Sequence, residues 1–280
     1  MNANPIGIFD SGVGGLSILK EINKILPNEN TIYLADNKNC PYGNQDTSEI
    51  IKVSLKNTSS LIKMNCKMVV LACNTATTNA VNEIRKSFPI PIIGIEPAIK
   101  PAIISTKTNK IGVLATERTL TSNLFNQTSY KFSNNVEIYA QIGNGLEDLV
   151  ENGDLNKKLT KDLLKSYLDP MIDSNIDQLV LGCTHYYFLI PIIKQIIPKR
   201  INIQNPNPAI VKQIKKILTK NNIQNTSDNN YKNLVYANGN IDVIKNIVSL
   251  NTEVNLLDFW LLYPRTITII SFFPTTKIKT

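Results

Sequence analysis

Short apolar runs alternate along this chain with longer segments in which apolar residues recur at helical spacing. Four runs in the first hundred residues have the length and composition of buried strands: IGIF (6–9), TIYLAD (31–36), MVVLAC (68–73) and PIIGI (91–95). Between them, residues 16–26, 47–64 and 75–87 show the apolar period of helices. Strands that alternate with helices predict an α/β fold with a parallel sheet.

The same order of segments begins again after residue 108. KIGVLAT, residues 110–116, resembles the opening PIGIFDS, and LVLGCTHYYF places Cys183 as VVLACNTATT places Cys73, 110 residues earlier. This repetition predicts an internal duplication of one α/β unit. The expected fold is therefore α/β, with two pseudo-symmetric parallel-sheet lobes and an active site in the cleft between them.

The segments between these units set the expected domain boundaries. Residues 1–97 and about 208–250 would form the first lobe, and residues 98–207 the second. The stretch 96–108 would carry the chain across, and the helical segment 210–218 with VYANGNIDVIKNIV would return it. From about residue 251 the periodicity weakens, and residues 251–280 fit a packed segment, an oligomer contact or a frayed tail equally well.

Charge and composition limit the classes of partner and the cellular locations that we expect for this protein. The net charge is +8, but the lysines are scattered, with short clusters only on helix-like segments, so no nucleic-acid partner is expected. The N-terminus has no basic region before an apolar run, and the apolar stretches near the C-terminus are too short to span a bilayer. We expect a cytoplasmic protein with no membrane partner and with its four cysteines reduced.

No cofactor or metal is expected from the motifs. No CxxC or Cys/His cluster offers four zinc ligands, and His185 is the only histidine. The glycine run GVGG matches neither GxGxxG nor a P-loop, and no lysine stands in a phosphate-binding motif that would suit pyridoxal phosphate.

Polar and thiol side chains follow several of the predicted strands directly. Because ligands gather at the carboxyl ends of parallel strands, we expect these residues to lie together: Asp10, Ser11, Cys73, Asn74, Thr75, Thr116, Cys183, Thr184 and His185. Two thiols in duplicated positions could act on opposite faces of one carbon, one removing a proton and the other returning one. Such a pair would invert an amino-acid stereocentre without a cofactor.

Each thiol has a neighbour that could assist it. Asp10 would assist Cys73 from the adjacent strand, and His185 would assist Cys183. Cys40 and Cys66 fit the commoner description of a cysteine as an inert small apolar residue. The carboxylates of a small acidic substrate would bind the amides of the glycine loop and a set of polar residues: Ser11, Tyr42, Gly43, Asn74, Thr75 and Thr184.

Five segments together resemble one family, the glutamate racemases: GIFDSGVGGLS, CPYG, VVLACNTATTNAV, IGVLAT and LVLGCTHY. The resemblance implies a cofactor-independent enzyme that supplies D-glutamate for peptidoglycan. It implies that Cys73 acts on the D-isomer and Cys183 on the L-isomer, with Asp10 and His185 in support. It also implies substrate binding by the polar residues above, with Thr119 after the IGVLAT segment, and we expect a homodimer.

The chain departs from the family pattern in places. Gln141 and Ile142 stand where members often carry Cys-Pro, Tyr187 replaces a proline, and Asn205 replaces an aspartate. The family's glutamate near the histidine corresponds to Glu151 if two extra residues are allowed. Alternatives are an aspartate racemase, another two-cysteine isomerase such as maleate isomerase, or a catalytically idle regulatory protein.

Overall fold

Two parallel β-sheets with helical connections make up the part of the chain that the computed structural model describes, residues 2–132, 135–227, 232–239, 241–247 and 252–256. The strands, in chain order, are β1 Ile6–Asp10, β2 Thr31–Ala35, β3 Met68–Leu71, β4 Ile92–Gly94, β5 Lys110–Ala115, β6 Glu137–Ile142, β7 Gln178–Gly182, β8 Asn202–Gln204, β9 Asn233–Ala237 and β10 Thr252–Leu256. The helices are α1 Leu16–Ile25, α2 Thr47–Lys63, α3 Asn74–Ser87, α4 Ile99–Ser105, α5 Glu117–Leu120, α6 Asn123–Phe132, α7 Leu146–Glu151, α8 Lys158–Asp173, α9 Ile190–Ile196, α10 Asn207–Lys220 and α11 Asp242–Ile247.

The two sheets repeat one strand order. The first sheet runs β10-β9-β2-β1-β3-β4 and the second β6-β5-β7-β8, and all of the pairings are parallel. Within the first, β2-β1-β3-β4 has the same arrangement as β6-β5-β7-β8, with the earliest strand second in each. The predicted α/β fold of two parallel lobes is confirmed.

Apolar side chains place the core along these sheets and between the lobes. All five residues of β1 are buried, as expected for a strand with helices on both faces. On α1, Leu16, Leu19 and Ile22 form the buried stripe that the helical period predicts. One apolar cluster joins residues of both lobes, including Ile8 and Leu181, so the lobes share part of their core.

Three elements differ from the sequence-based expectation. The crossing segment contains a helix, α4, and Pro101 fits there because an amide in the first helical turn has no intrahelical partner. Strand β6 is an edge strand without a fully buried residue, so it lacks the apolar run by which strands were found. Residues 252–256 add β10 beside β9, and the rest of the segment 251–280 lies outside the described residues.

The helices of the described ranges include none with the length and apolar character needed to cross a membrane.

Candidate active site

The carboxyl ends of the central strands of both sheets meet between the lobes. Asp10 ends β1, Cys73 lies two residues beyond β3, Thr116 follows β5, and Cys183 follows β7. Hydrogen bonds join the two sets directly, since the Thr184 hydroxyl donates to Asp10 Oδ2 at 3.0 Å. The structure therefore brings the residues of the two duplicated segments to one site.

Cys73 lies at the N-terminus of α3 and is 4 % exposed. Its sulfur accepts hydrogen bonds from the Ala76 amide at 3.4 Å and from the Ser11 hydroxyl at 3.5 Å. Burial, with the nearby Asp10 charge, raises the pKa of the Cys73 thiol to about 12, although the two hydrogen bonds oppose this rise. The thiol is protonated at rest, but its surroundings include groups that would stabilise a thiolate.

Cys183 has a different neighbourhood, dominated by His185. Its sulfur lies 3.7 Å from His185 Nδ1, and burial followed by the charge of Glu147 raises its pKa well above the usual range. The opposite ring nitrogen, Nε2, donates to Glu151 Oε1 at 2.6 Å. Burial opposes a charge on His185, yet the hydrogen bonds to Cys183, Cys40 and Glu151 hold its pKa well above the usual value.

Glu151 is fixed by the first lobe. Oε1 also accepts from the Val13 amide at 2.7 Å, and Oε2 accepts from Asn37 at 2.9 Å. Burial alone would raise the pKa of this carboxyl, but its hydrogen bonds from His185, Val13 and Asn37 lower it. The carboxylate thus connects the glycine loop to the histidine, and its part in the reaction stays a prediction.

We expect Glu151→Gln to lower the pKa of His185, because the substitution removes the negative partner of the imidazolium. His185 is the only histidine, so its ring resonances can be followed by NMR titration without assignment. Glu49→Gln, a change at an exposed glutamate paired with Lys52, is the control and should leave the titration unchanged. An unchanged His185 titration in Glu151→Gln would contradict this account of the ion pair.

The DSG loop contacts both segments that carry the thiols. Ser11 contacts the Cys73 sulfur, Asp10 accepts from the Gly12 amide at 2.9 Å and from Thr184, and Thr184 immediately precedes His185. Burial raises the pKa of Asp10 above its usual value, although His185 opposes the rise. One loop of the first lobe therefore touches both halves of the site.

The remaining predicted polar residues surround this centre. Thr75 Oγ1 lies 2.9 Å from Thr116 Oγ1 and 3.3 Å from Thr119 Oγ1, so three hydroxyls meet across the lobe boundary. Asn74 donates to Ile95 O at 2.9 Å, while its buried Oδ1 has no hydrogen-bond partner among the described residues.

The CPYG segment places Tyr42 and Gly43 beside the second lobe. The Tyr42 hydroxyl donates to Asp36 Oδ2 at 2.5 Å, so this side chain supports the loop. A Cβ at Gly43 would lie 3.0 Å from Thr116 Cβ and 3.1 Å from Glu147 Oε2. Glycine therefore permits the close approach of the lobes here, and the backbone amides of the segment are its available donors.

Sequence reasoning missed two groups at the site. Glu147 is 7 % exposed, four residues before Glu151, and that helical spacing could have placed both carboxylates on one face of α7. Cys40, expected to be inert, is half-buried with its sulfur 4.0 Å from His185 Nε2. Its position as the first residue of the CPYG segment was the available indication.

The spacing of Glu151 and His185 is that of a hydrogen-bonded pair and not that of two metal ligands. The 2.6 Å between His185 Nε2 and Glu151 Oε1 is a hydrogen bond. Two ligand atoms of a tetrahedral zinc would be about 3.3 Å apart at bond lengths of about 2.0 Å. We assign no metal to these residues.

The departures from the family pattern form local contacts. Gln141 Nε2 donates to Ile142 O at 2.9 Å, the Tyr187 hydroxyl donates to Leu181 O at 3.3 Å, and Asn205 Oδ1 accepts from the Asn207 amide at 3.1 Å. These bonds support the rear of the second lobe and the start of α10.

Comparison with known proteins agrees with this geometry. Residues 6–214 match the Asp/Glu/hydantoin racemase family. The chain is 39% identical over 225 residues to a glutamate racemase of Herpetosiphon aurantiacus, which covers 80% of this chain and 89% of that relative. Glutamate racemase isoform RacE1 from Bacillus anthracis superposes with a TM-score of 0.81 and 29% identity, covering 92% of this chain and 98% of that one. The Francisella tularensis glutamate racemase, solved in complex with D-glutamate, gives a TM-score of 0.80 and 28% identity with the same coverage.

The chain therefore belongs to the Asp/Glu/hydantoin racemase family, a class of isomerases. Within that class, its curated relatives and structural neighbours make it a member of the glutamate racemases, which are amino-acid racemases.

Proposed function

We propose that this protein interconverts L- and D-glutamate without a cofactor, by proton transfer between two cysteines. The observation that carries the proposal is the position of Cys73 and Cys183 at equivalent strand ends of two lobes, with one loop that contacts the segments of both. Cys73 is linked through Ser11, Asp10 and Thr184 to the segment that holds Cys183. A thiolate at Cys73 would raise the pKa of Cys183, as expected for two neighbouring groups. A small molecule between the lobes would meet one thiol on each side.

The surrounding groups suit an amino acid with a second carboxylate. Asn74 Oδ1, which has no hydrogen-bond partner among the described residues, offers an acceptor for an α-ammonium group. A buried acceptor without a partner is stabilised when a ligand donates to it. The hydroxyls of Thr75, Thr116 and Thr119 and the amides of Tyr42 and Gly43 offer donors for carboxylates. The hydroxyls of Ser11 and Thr184 donate to Cys73 and Asp10 in this structure and would have to turn to the substrate on binding. This division of donors and acceptors supports a substrate of the size and charge of glutamate.

The proton transfers need electrostatic help because both thiols are buried. A thiol with a pKa of about 12 is five units above neutrality, so forming its thiolate costs about 7 kcal/mol. The substrate ammonium, the Ser11 and Ala76 donors on one side and the His185 imidazolium on the other would offset part of this cost. Asp10 is placed to assist Cys73, and His185 to assist Cys183.

Hydrogen exchange at the α-carbon tests the reaction directly. Incubation with L-glutamate in deuterated water should give D-glutamate that carries deuterium at the α-carbon, and D-glutamate should give the labelled L-isomer. Aspartate under the same conditions measures how strictly the pocket requires the longer side chain. Folded protein that exchanges the α-hydrogen of neither glutamate isomer would exclude the proposal.

The wider role follows from the family resemblance. We propose that the D-glutamate formed enters peptidoglycan synthesis. Depletion of this protein in the organism that encodes it should then stop growth, and D-glutamate in the medium should restore growth. The homodimer and the cytoplasmic location remain predictions, which light scattering and cell fractionation would test.

A further inference from the structure

We propose that Glu147 is the proton acceptor that converts the Cys183 thiol to a thiolate, an assignment that rests on the racemisation proposed above. A carboxylate oxygen of Glu147 lies within 4.8 Å of the reacting sulfur, and Glu147 acts on the substrate only through that sulfur. The sequence motifs of the family resemblance do not include it.

The geometry places Glu147 at Cys183 and away from the Glu151–His185 hydrogen bond. A carboxylate oxygen of Glu147, the Cys183 sulfur and a ring nitrogen of His185 all lie within 4.8 Å of one another. Glu151 accepts at His185 Nε2, whereas the sulfur lies beside Nδ1. The two glutamates of α7 therefore have separate partners: Glu151 holds the imidazole, and Glu147 faces the thiol.

The two thiols have different hydrogen-bond donors, and this difference explains why a base is needed at Cys183. Cys73 receives an amide and a hydroxyl hydrogen bond that would stabilise its thiolate directly. At Cys183, the following 3-10 turn donates no amide to the sulfur among the described residues. The donor at Cys183 is the His185 ring instead, at 3.7 Å, and a thiol without a backbone donor ionises more readily if a neighbouring base takes its proton.

Every proton that moves in one turnover is accounted for. The Cys183 S–H bond breaks, its proton forms an O–H bond on Glu147, and the thiolate then takes the α-proton of L-glutamate. Cys73 gives its own proton to the opposite face of the carbanion and becomes a thiolate. Glu147 returns its proton through water to Cys73, so no other reactant is consumed.

Titratable groups on several elements interact electrostatically with Glu147: Asp148 on α7, Cys183 and His185 after β7, Asp10 on β1, and Cys40 and Cys73 from the first lobe. Burial, together with Asp148 and Asp10, raises the pKa of Glu147 to about 7, against the opposing influence of His185. A carboxyl that is partly ionised near neutral pH can both accept and return a proton in each cycle.

Hydrogen exchange at the α-carbon, measured in variants that keep only one of the two cysteines, distinguishes the contributions of the two thiols. In a Cys73→Ala background, L-glutamate can exchange its α-hydrogen with deuterated water through Cys183 alone. In a Cys183→Ala background, D-glutamate can exchange through Cys73 alone. Adding Glu147→Gln should slow the first exchange by about 100-fold, the low end of general-base effects, and change the second by less than about 2-fold. The first exchange should also lose its rise with pH through about 7.

Equal losses on both faces, or no loss with L-glutamate, would overturn the assignment while leaving the proposed racemisation intact. Failure of the wild-type protein to exchange either isomer would instead overturn the racemisation. Glu49→Gln is the matched control, because Glu49 is an exposed glutamate on α2, paired with Lys52 and absent from the groups around Glu147. It should leave both exchange rates within about 2-fold of their backgrounds, since a charge in solvent contributes little.

A stability measurement checks the burial of Glu147 without reference to activity. Between pH 4.5, its ordinary pKa, and about 7, the folded protein holds a proton that the unfolded chain has lost. Stability contributed by the protonated carboxyl should therefore fall as pH rises through this window, and Glu147→Gln should not show that fall. Identical pH–stability curves for the two proteins would contradict the placement of Glu147 on which the assignment depends.

Discussion

Cys73→Ala and Cys183→Ala are each expected to abolish racemisation, with a loss of at least about 10⁴-fold in kcat. Either substitution leaves one face of the carbanion without a group that can take or give a proton. Both cysteines are 4 % exposed and small, so alanine should cost only about 1 kcal/mol of folding stability. Activity measured by circular dichroism of the glutamate isomers, with thermal unfolding alongside, separates the two effects.

Cys66→Ala is the matched control for these variants. Cys66 is also buried, at 5 % exposure, and its pKa is also raised by burial, to about 12. Its sulfur packs beside Gly7 in the core of the first lobe, so no proton path includes it. Equal losses of activity in all three variants would indicate a packing effect and contradict a catalytic role for the pair.

Gly14→Ala should give the second-largest effect, a loss of about 100-fold or more in kcat/KM. A Cβ at Gly14 would lie 2.4 Å from Thr184 Oγ1 and 2.7 Å from the His185 amide nitrogen. Because the second contact is with backbone, the segment that carries Cys183 and His185 must move. A displacement of about 1 Å in a catalytic group can cost about 100-fold in rate.

Gly7→Ala makes the same chemical change at a position remote from the cleft. Its Cβ would lie 3.0 Å from the Cys66 sulfur, so we expect lower stability with kcat/KM within about 3-fold of wild type. Activity in Gly14→Ala equal to that of the wild type would show that the glycine loop tolerates an extra methyl group. The close packing of Gly14 against Thr184 and His185 would then be wrong.

Much of the fold could be predicted because buried parallel strands and amphipathic helices leave local patterns. The apolar runs at β1, β3, β5 and β7 are continuous and fully or almost fully buried, and these four strands position the site. Strand β6 could not be found in this way. As a partly exposed edge strand, it lacks the continuous apolar run of a buried parallel strand.

Only some of the residues of the site could be predicted from the sequence. Polar residues directly after strands can be found because sheet geometry gathers strand ends at one edge. The hydrogen bond between Glu151 and His185 and the approach of Glu147 to Cys183 depend on how one lobe docks against the other. No short-range pattern encodes that docking, so Glu147 and Cys40 emerged only from the structure.

Hydrogen bonds between the lobes lie on several sides of the buried thiols: Asp10 with Thr184, Val13 and Asn37 with Glu151, Thr75 with Thr116, and Arg118 with Gln45 O and Asp46. With these hydrogen bonds in place, we expect the space between the lobes to be too narrow for glutamate to enter. Each catalytic cycle must then begin and end with a parting of the lobes, and the frequency of that movement sets a ceiling on turnover. A compound that wedges them apart would stop the enzyme without resembling an amino acid.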